Sequence, residues 1–140
     1  MNQYTFYRKK IAGRIVVNDG FVGFEAANVI ESTIGNENPN YNWEEKIILS
    51  LSVDEIGKMI LLLSGRNSEV SLFHTSASGN KTLKGKRMDN GNILISMDHT
   101  LPTGDKRVVS GISLTPESIV VIEELLKSGI FSLTYQKPRG

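Results

Sequence analysis

The sequence predicts an α+β domain in which runs of short antiparallel strands are twice closed by a helix. Three observations carry that expectation. Apolar and polar residues alternate with a period of two in several short segments, as half-buried strands require. Groups of Asn, Asp, Gly and Pro separate those segments and supply turn chemistry. Two further stretches change to helical spacing, each behind a Ser or Thr placed to cap it.

Size and composition agree with a single domain over residues 1–140, since 39% hydrophobic and 22% charged content is ordinary for one globular unit. At this length roughly two-thirds of the unfolded chain's surface can be buried, so neither disulfide nor metal is needed for stability. The chain has no cysteine. That excludes thiolate metal sites, redox motifs and thiol nucleophiles, and it fits a reducing compartment. Met1-Asn2-Gln3-Tyr4 leads directly into alternating residues, so no leader is expected and a cytoplasmic location, at a bacterial or virus-infected cell's nucleoid, is the expectation. The longest apolar run, Met59 to Leu63, is far too short to cross a bilayer.

From Tyr4 to Val17 the alternation reads as one strand, with Tyr7, Ile11 and Ile15 on one face and Phe6, Arg8, Lys10 and Arg14 on the other. Asn18-Asp19-Gly20 marks a turn, and Phe21 to Ile30 can form a second strand. Gly35 to Asn42 is loop. Lys46 to Leu51 alternates again, with Ile47, Leu49 and Leu51 sharing a face. Ser52 and Glu55 stand at capping-box spacing and open a helix whose stripe is Ile56, Met59, Ile60 and Leu63. Leu61 and Leu62 widen that stripe, which suggests a subunit interface.

The second half predicts strands at Glu69–Thr75, Lys81–Met88, Asn92–Asp98 and Lys106–Leu114. Asn90-Gly91 tolerates the positive φ of a tight hairpin, so the strands around it should pair directly. Thr115 caps a second helix with Pro116 at its first position, where a missing N–H costs nothing. Ile119, Ile122 and Leu126 form its buried stripe, and Gly129 is expected to end it.

Chemistry-bearing residues are sparse. The net charge is only +1, but Arg8, Lys9, Lys10 and Arg14 form one basic run and Lys81, Lys84, Lys86 and Arg87 a second. A charge run is most often a solvated strand face. His74 and His99 fall in separate strands without a helical ligand pair, so no metal site and no cofactor are expected. Asp98-His99 beside Ser96 lacks a nucleophile turn, and Gly79-Asn80-Lys81-Thr82 lacks the Gly-Lys pair of a phosphate loop. The chain does not read as an enzyme.

The run Tyr41-Asn42-Trp43-Glu44-Glu45-Lys46, followed by Leu49-Ser50-Leu51-Ser52-Val53-Asp54-Glu55-Ile56-Gly57, closely resembles the Whirly family of single-stranded DNA-binding proteins. The likeness continues through Phe73-His74, the Lys81 to Met97 hairpin and the Thr115 to Leu133 helical end. Tyr7-Arg8-Lys9-Lys10-Ile11-Ala12 falls where the family carries Tyr-Lys-Gly-Lys-Ala-Ala, with Tyr7, Lys10 and Ala12 matching. Between there and Gly20-Phe21 the chain is short enough for one hairpin to be missing or trimmed.

That resemblance implies paired antiparallel sheets, a helical hub and a homotetramer, with a homodimer as the fallback known from related transcriptional coactivators. It implies sequence-tolerant binding of single-stranded DNA in replication, recombination, repair or transcription. RNA binding or annealing on the same fold, and a structural oligomer that binds no nucleic acid, are the alternatives. Cations following phosphates and aromatic faces accepting bases would carry such binding. The expected phosphate contacts are Arg8, Lys10, Arg14, Lys84 and Lys86, then Lys46 and Lys106. The expected stacking residues are Phe6, Phe21, Phe24, Tyr41 and Trp43, with a core role competing for Phe24 and Trp43.

Overall fold

Eight strands and two helices make up the computed structural model, which describes residues 2–135. The first sheet runs in the order β1 (Asn2–Tyr7), β2 (Ile11–Asn18), β3 (Phe21–Asn28) and β4 (Ile47–Ser50), all antiparallel. Helix α1 (Val53–Leu63) follows. The second sheet repeats the plan with β5 (Glu69–Ser76), β6 (Gly79–Arg87), β7 (Ile93–Thr100) and β8 (Lys106–Leu114), and helix α2 (Pro116–Thr134) closes it.

The Tyr4 to Val17 segment differs from its sequence reading. It is a hairpin of two strands, and the Arg8 N–H donates to the Ile11 carbonyl across the turn. No hairpin is therefore missing from the first sheet, which has its four strands. The turn also resets the faces: Phe6 pairs with Gly13 and points into the core at 3% exposure, while Tyr7 pairs with Ala12 and is 58% exposed. Phe6 fits there because Gly13 has no side chain.

Both caps form as the sequence predicts. The Ser52 hydroxyl accepts from the Glu55 N–H while the Glu55 carboxylate accepts from the Ser52 N–H, and the Thr115 hydroxyl accepts from the Ser118 N–H. Of the two residues that widen the α1 stripe, Leu62 is buried with Ile56, Met59 and Leu63, while Leu61 is half-buried. Gly85 on β6 leaves room for Leu62. Arg87 then donates to the carbonyls of Leu62 and Leu63, satisfying helix-end acceptors that α1 cannot satisfy itself.

Gly129 does not end α2. The helix continues to Thr134, and Gly129 lies against β3, where an added Cβ would stand 2.8 Å from Val22 Cγ2. A residue that reads as a helix stop is instead a point of close approach between helix and sheet. One contiguous core joins both helices to the inner faces of both sheets, with Phe24, Ile15, Leu49, Leu83, Ile95 and Ile122 fully buried.

Polar ties lock the sheets to each other, among them the Lys81 ammonium of β6 donating to the Ile48 carbonyl of β4. Arg8 donates to the Ser113 carbonyl and the Ser118 hydroxyl, and the Asn28 side chain donates to the Val108 carbonyl. His74 also has a structural partner, its Nε2 lying 2.6 Å from the Glu55 carboxylate at the start of α1. His99 is buried with Nε2 2.7 Å from the Ser78 carbonyl. Both histidines are thus tied within the fold.

Candidate nucleic-acid interface

The outer face of the first sheet collects about half of the aromatic and cationic residues that the sequence singles out. Because side chains alternate, the register places Thr5, Arg14, Glu25 and Ile48 in one row across β1 to β4 on the face opposite the helices. Tyr7 stands on the same face, two residues along β1 from Thr5.

The loop between β3 and β4 brings further aromatics onto this face. Tyr41 forms an isolated antiparallel bridge with Val29, its hydroxyl donates to the Arg8 carbonyl, and its ring centroid lies 5.4 Å from that of Tyr7. Trp43 opens a 3-10 turn over Trp43–Glu45 and places its ring 4.1 Å from the Arg14 Cζ. The loop and these aromatics enclose a concave pocket lined by Tyr7, Pro39, Tyr41 and Trp43 among others. Lys10 is exposed in the β1–β2 turn, whose backbone is tied to this loop because the Lys10 carbonyl accepts from Val29. Lys46 follows the 3-10 turn, with its ammonium 3.0 Å from Glu25.

Other expected residues lie elsewhere. Phe6 is core rather than platform, for the register reason above, and Phe24 is fully buried between β2 and β4. Arg8 is committed to carbonyl and hydroxyl acceptors and lies 5.0 Å from the Phe6 ring, so its charge serves the fold. Phe21 is on the outer face of the first sheet as well, but at the other end of β3 from the aromatic pocket, where it sits over Gly23 in a groove that Ile48, His74 and Lys81 also line. Lys106 is 3.9 Å from Asp98 and lines a groove with Asn42 and Glu45.

Lys84 and Lys86 form a separate patch on the outer face of the second sheet. They flank a shallow groove with Ser71, Leu94, Ser96 and Ser110. Phe73, on the neighbouring strand and 63% exposed, adds an aromatic to this face. Sequence reasoning passed over Tyr7 and Phe73. Tyr7 was hidden by the unrecognised turn, whereas Phe73 was legible as an apolar residue out of phase with the buried Leu72.

The electrostatics of the first-sheet face depend on Glu25, which is 6% exposed and lies 3.6 Å from Arg14 as well as beside Lys46. A carboxylate so far from water is tolerated because cations surround it. Two cations against one anion leave the cluster positive. Among the described residues no group of three His, Cys, Asp or Glu is placed to hold a metal ion, and no helix is long and apolar enough to cross a membrane.

Solved structures with this architecture include WHY3 from Arabidopsis thaliana, at a TM-score of 0.75 and 20% identity, covering 95% of this chain and 88% of that one. The plant transcriptional regulator PBF-2 matches at a TM-score of 0.75 and 19% identity, covering 95% and 90% of the two chains. A guide-RNA-binding protein complex bound to its RNA matches at a TM-score of 0.66 and 12% identity, covering 96% and 92%. At these identities the likeness shows the fold. No curated protein matches the sequence. Residues 2–124 match the family described as Whirly transcription factor. That match spans nearly the whole chain, so the protein belongs to the Whirly transcription factor family.

Proposed function

We propose that this protein binds single-stranded nucleic acid, DNA foremost, across the outer face of its first sheet and with little regard for sequence. The observation that carries this reading is the paired arrangement of aromatics and cations there: Tyr7 with Tyr41, and Trp43 with Arg14, next to Lys10 and Lys46. Aromatic faces accept any base, each contributing about 1–3 kcal/mol, and cations follow the backbone between them. The Lys84 and Lys86 patch extends the basic surface to the second sheet.

Assembly through the helices completes the proposal. Val120 and Phe131 on α2 are 62% and 65% exposed, and Phe131 stacks on Tyr135 at 5.1 Å. A homotetramer, or failing that a homodimer, would cover these residues and align several sheet faces along one strand. The role this fits is genome maintenance or transcription in the cytoplasm or nucleoid.

RNA is the second reading, favoured by the likeness to the guide-RNA complex. Backbone and stacking contacts do not distinguish the sugar unless a group reads the 2′-hydroxyl. Fluorescence anisotropy of a labelled strand about thirty nucleotides long, as DNA, RNA and duplex across a salt series, tests both. Salt-sensitive preference for single-stranded DNA supports the main reading, equal or tighter RNA binding the second, and no binding at low salt refutes both.

A further inference from the structure

Arg14 has the residue type of a phosphate ligand, yet its Nε, its Nη1 and one face of its guanidinium each meet a neighbour within the fold. Its Nε donates to the Thr5 hydroxyl at 3.1 Å, its Nη1 lies 3.6 Å from Glu25 Oε1, and its Cζ lies 4.1 Å from the centroid of the Trp43 ring. Thr5 and Glu25 are its direct cross-strand neighbours on either side, so the sheet register itself builds the cradle. The planar fork of arginine suits this position, since it can bond edge-on to the sheet's side chains while presenting a face to an aromatic ring.

Glu25 is the second unusual member. It is 6% exposed, on the face turned away from the core, and its Oε1 receives Arg14 and Lys46 without a directed hydrogen bond to either. An interface built only to attract phosphate has no use for a buried carboxylate at its centre. A device for fixing one cation in place does.

We infer that Arg14 is a positioning residue, held by Thr5 and Glu25 so that it orients the Trp43 ring for base stacking, and that Lys46 is the cation of this cluster that meets phosphate. This rests on the reading of the face as a single-strand interface. Glu25 acts as an internal counter-anion between the two cations, which leaves the cluster one net positive charge, and Lys46 is the more exposed of the two.

The test has two arms, one without nucleic acid. Trp43 is the only tryptophan of the chain, so its emission and its quenching by acrylamide report its packing alone. Arg14→Gln and Glu25→Gln are each expected to raise the quenching constant about twofold, and Arg14→Lys is not expected to restore it. The double variant Arg14→Gln/Glu25→Gln, which leaves no uncompensated buried charge, should be folded by circular dichroism and equally quenchable.

In the second arm, single-strand affinity is measured against salt. Each lost phosphate contact lowers the slope of log affinity on log salt by about 0.7 for a single strand. Lys46→Gln should show that loss. Arg14→Gln should weaken binding about threefold to tenfold, the size of a removed cation–π support, with a slope loss smaller than that of Lys46→Gln. Glu25→Gln should steepen the slope by about 0.7 as Arg14 becomes available. Quenching unchanged in Arg14→Gln, or a slope loss in Arg14→Gln equal to that of Lys46→Gln, overturns the inference. If the unmodified protein binds no strand, the reading of the face fails, and the quenching arm still decides how Trp43 is held.

Discussion

Replacing Gly13 with alanine decides whether Phe6 serves the core or the interface. A Cβ at position 13 would stand 2.2 Å from the Phe6 Cζ and within 2.8 Å of both ring Cε atoms, so the ring cannot stay where it is. It has little space to retreat into, with the Tyr4 ring centroid 5.9 Å away and the Arg8 guanidinium at 5.0 Å. Overpacking of this kind costs about 1–3 kcal/mol, and alanine returns about 0.4–1 kcal/mol by restricting the unfolded chain, which leaves a net loss centred on about 1.3 kcal/mol and at most about 2.6 kcal/mol. At this length the central value lowers the melting temperature by roughly 3–5 °C. Thermal unfolding measures it, and a Phe6→Leu/Gly13→Ala cycle should show a coupling above about 0.5 kcal/mol, since leucine vacates the ring's volume. Single-strand affinity, measured well below the transition, should not change in Gly13→Ala. An unaltered melting temperature together with weakened binding would refute the assignment of Phe6 to the core.

Three other outcomes are expected. Trp43→Ala should weaken binding of a single strand by about 5- to 150-fold, the equivalent of one stacked base at about 1–3 kcal/mol, while a titration showing unchanged affinity in a folded variant removes Trp43 from the site. Burial alone would raise the pKa of Glu55, but the Ser52 N–H, the His74 ring and the Ser52 hydroxyl together hold it below the ordinary value of 4.5. A depressed folded-state pKa contributes stability above the unfolded value and loses it as pH falls through the folded one, so this contribution should fade below about pH 4.5. Unfolding midpoints in denaturant followed from pH 7 to pH 3 should therefore fall less steeply in Glu55→Gln. Finally, Val120→Glu/Phe131→Glu should reduce the molar mass measured by light scattering to a smaller assembly, and an unchanged mass would show that α2 is not the interface.

The second sheet and both helices are legible in the sequence because their local signals agree with their surroundings. Leu83 and Ile95 alternate with more exposed neighbours, Asn90-Gly91 supplies the turn, and Ser52 and Thr115 bond to the backbone they precede. The first sheet obscures itself for two reasons. Strand β2 is buried on both faces, with Ala12 and Val16 covered as fully as Ile11 and Ile15, so the period of two is blurred. The turn before it uses Arg8, Lys9 and Lys10 without any left-handed residue, so it carries none of the Gly or Asn marks of a tight hairpin.

The site was legible in its ingredients and not in its arrangement. Tyr41, Trp43, Lys46 and Arg14 are visible as residue types, but the contact between Arg14 and Glu25 depends on a register that no local pattern announces. Phe6 and Tyr7 exchange places once that register is known. A shift by one residue turns every side chain to the opposite face, so a single unseen turn is enough to misplace a binding residue.

The tight seat of Gly129 against Val22 acts as a thread lock on α2. Glycine inside a helix sacrifices about 1 kcal/mol of helical preference relative to alanine, and here it gives the helix one rotational setting on the sheet beneath it. Val120 and Phe131 flank that setting along the same helix, so the direction in which they face is dictated from below rather than by whatever covers them. One residue inserted between Leu126 and Gly129 would turn Phe131 by about 100° relative to Val120. The facing of the exposed residues of α2 is thus written into a buried glycine on its opposite side.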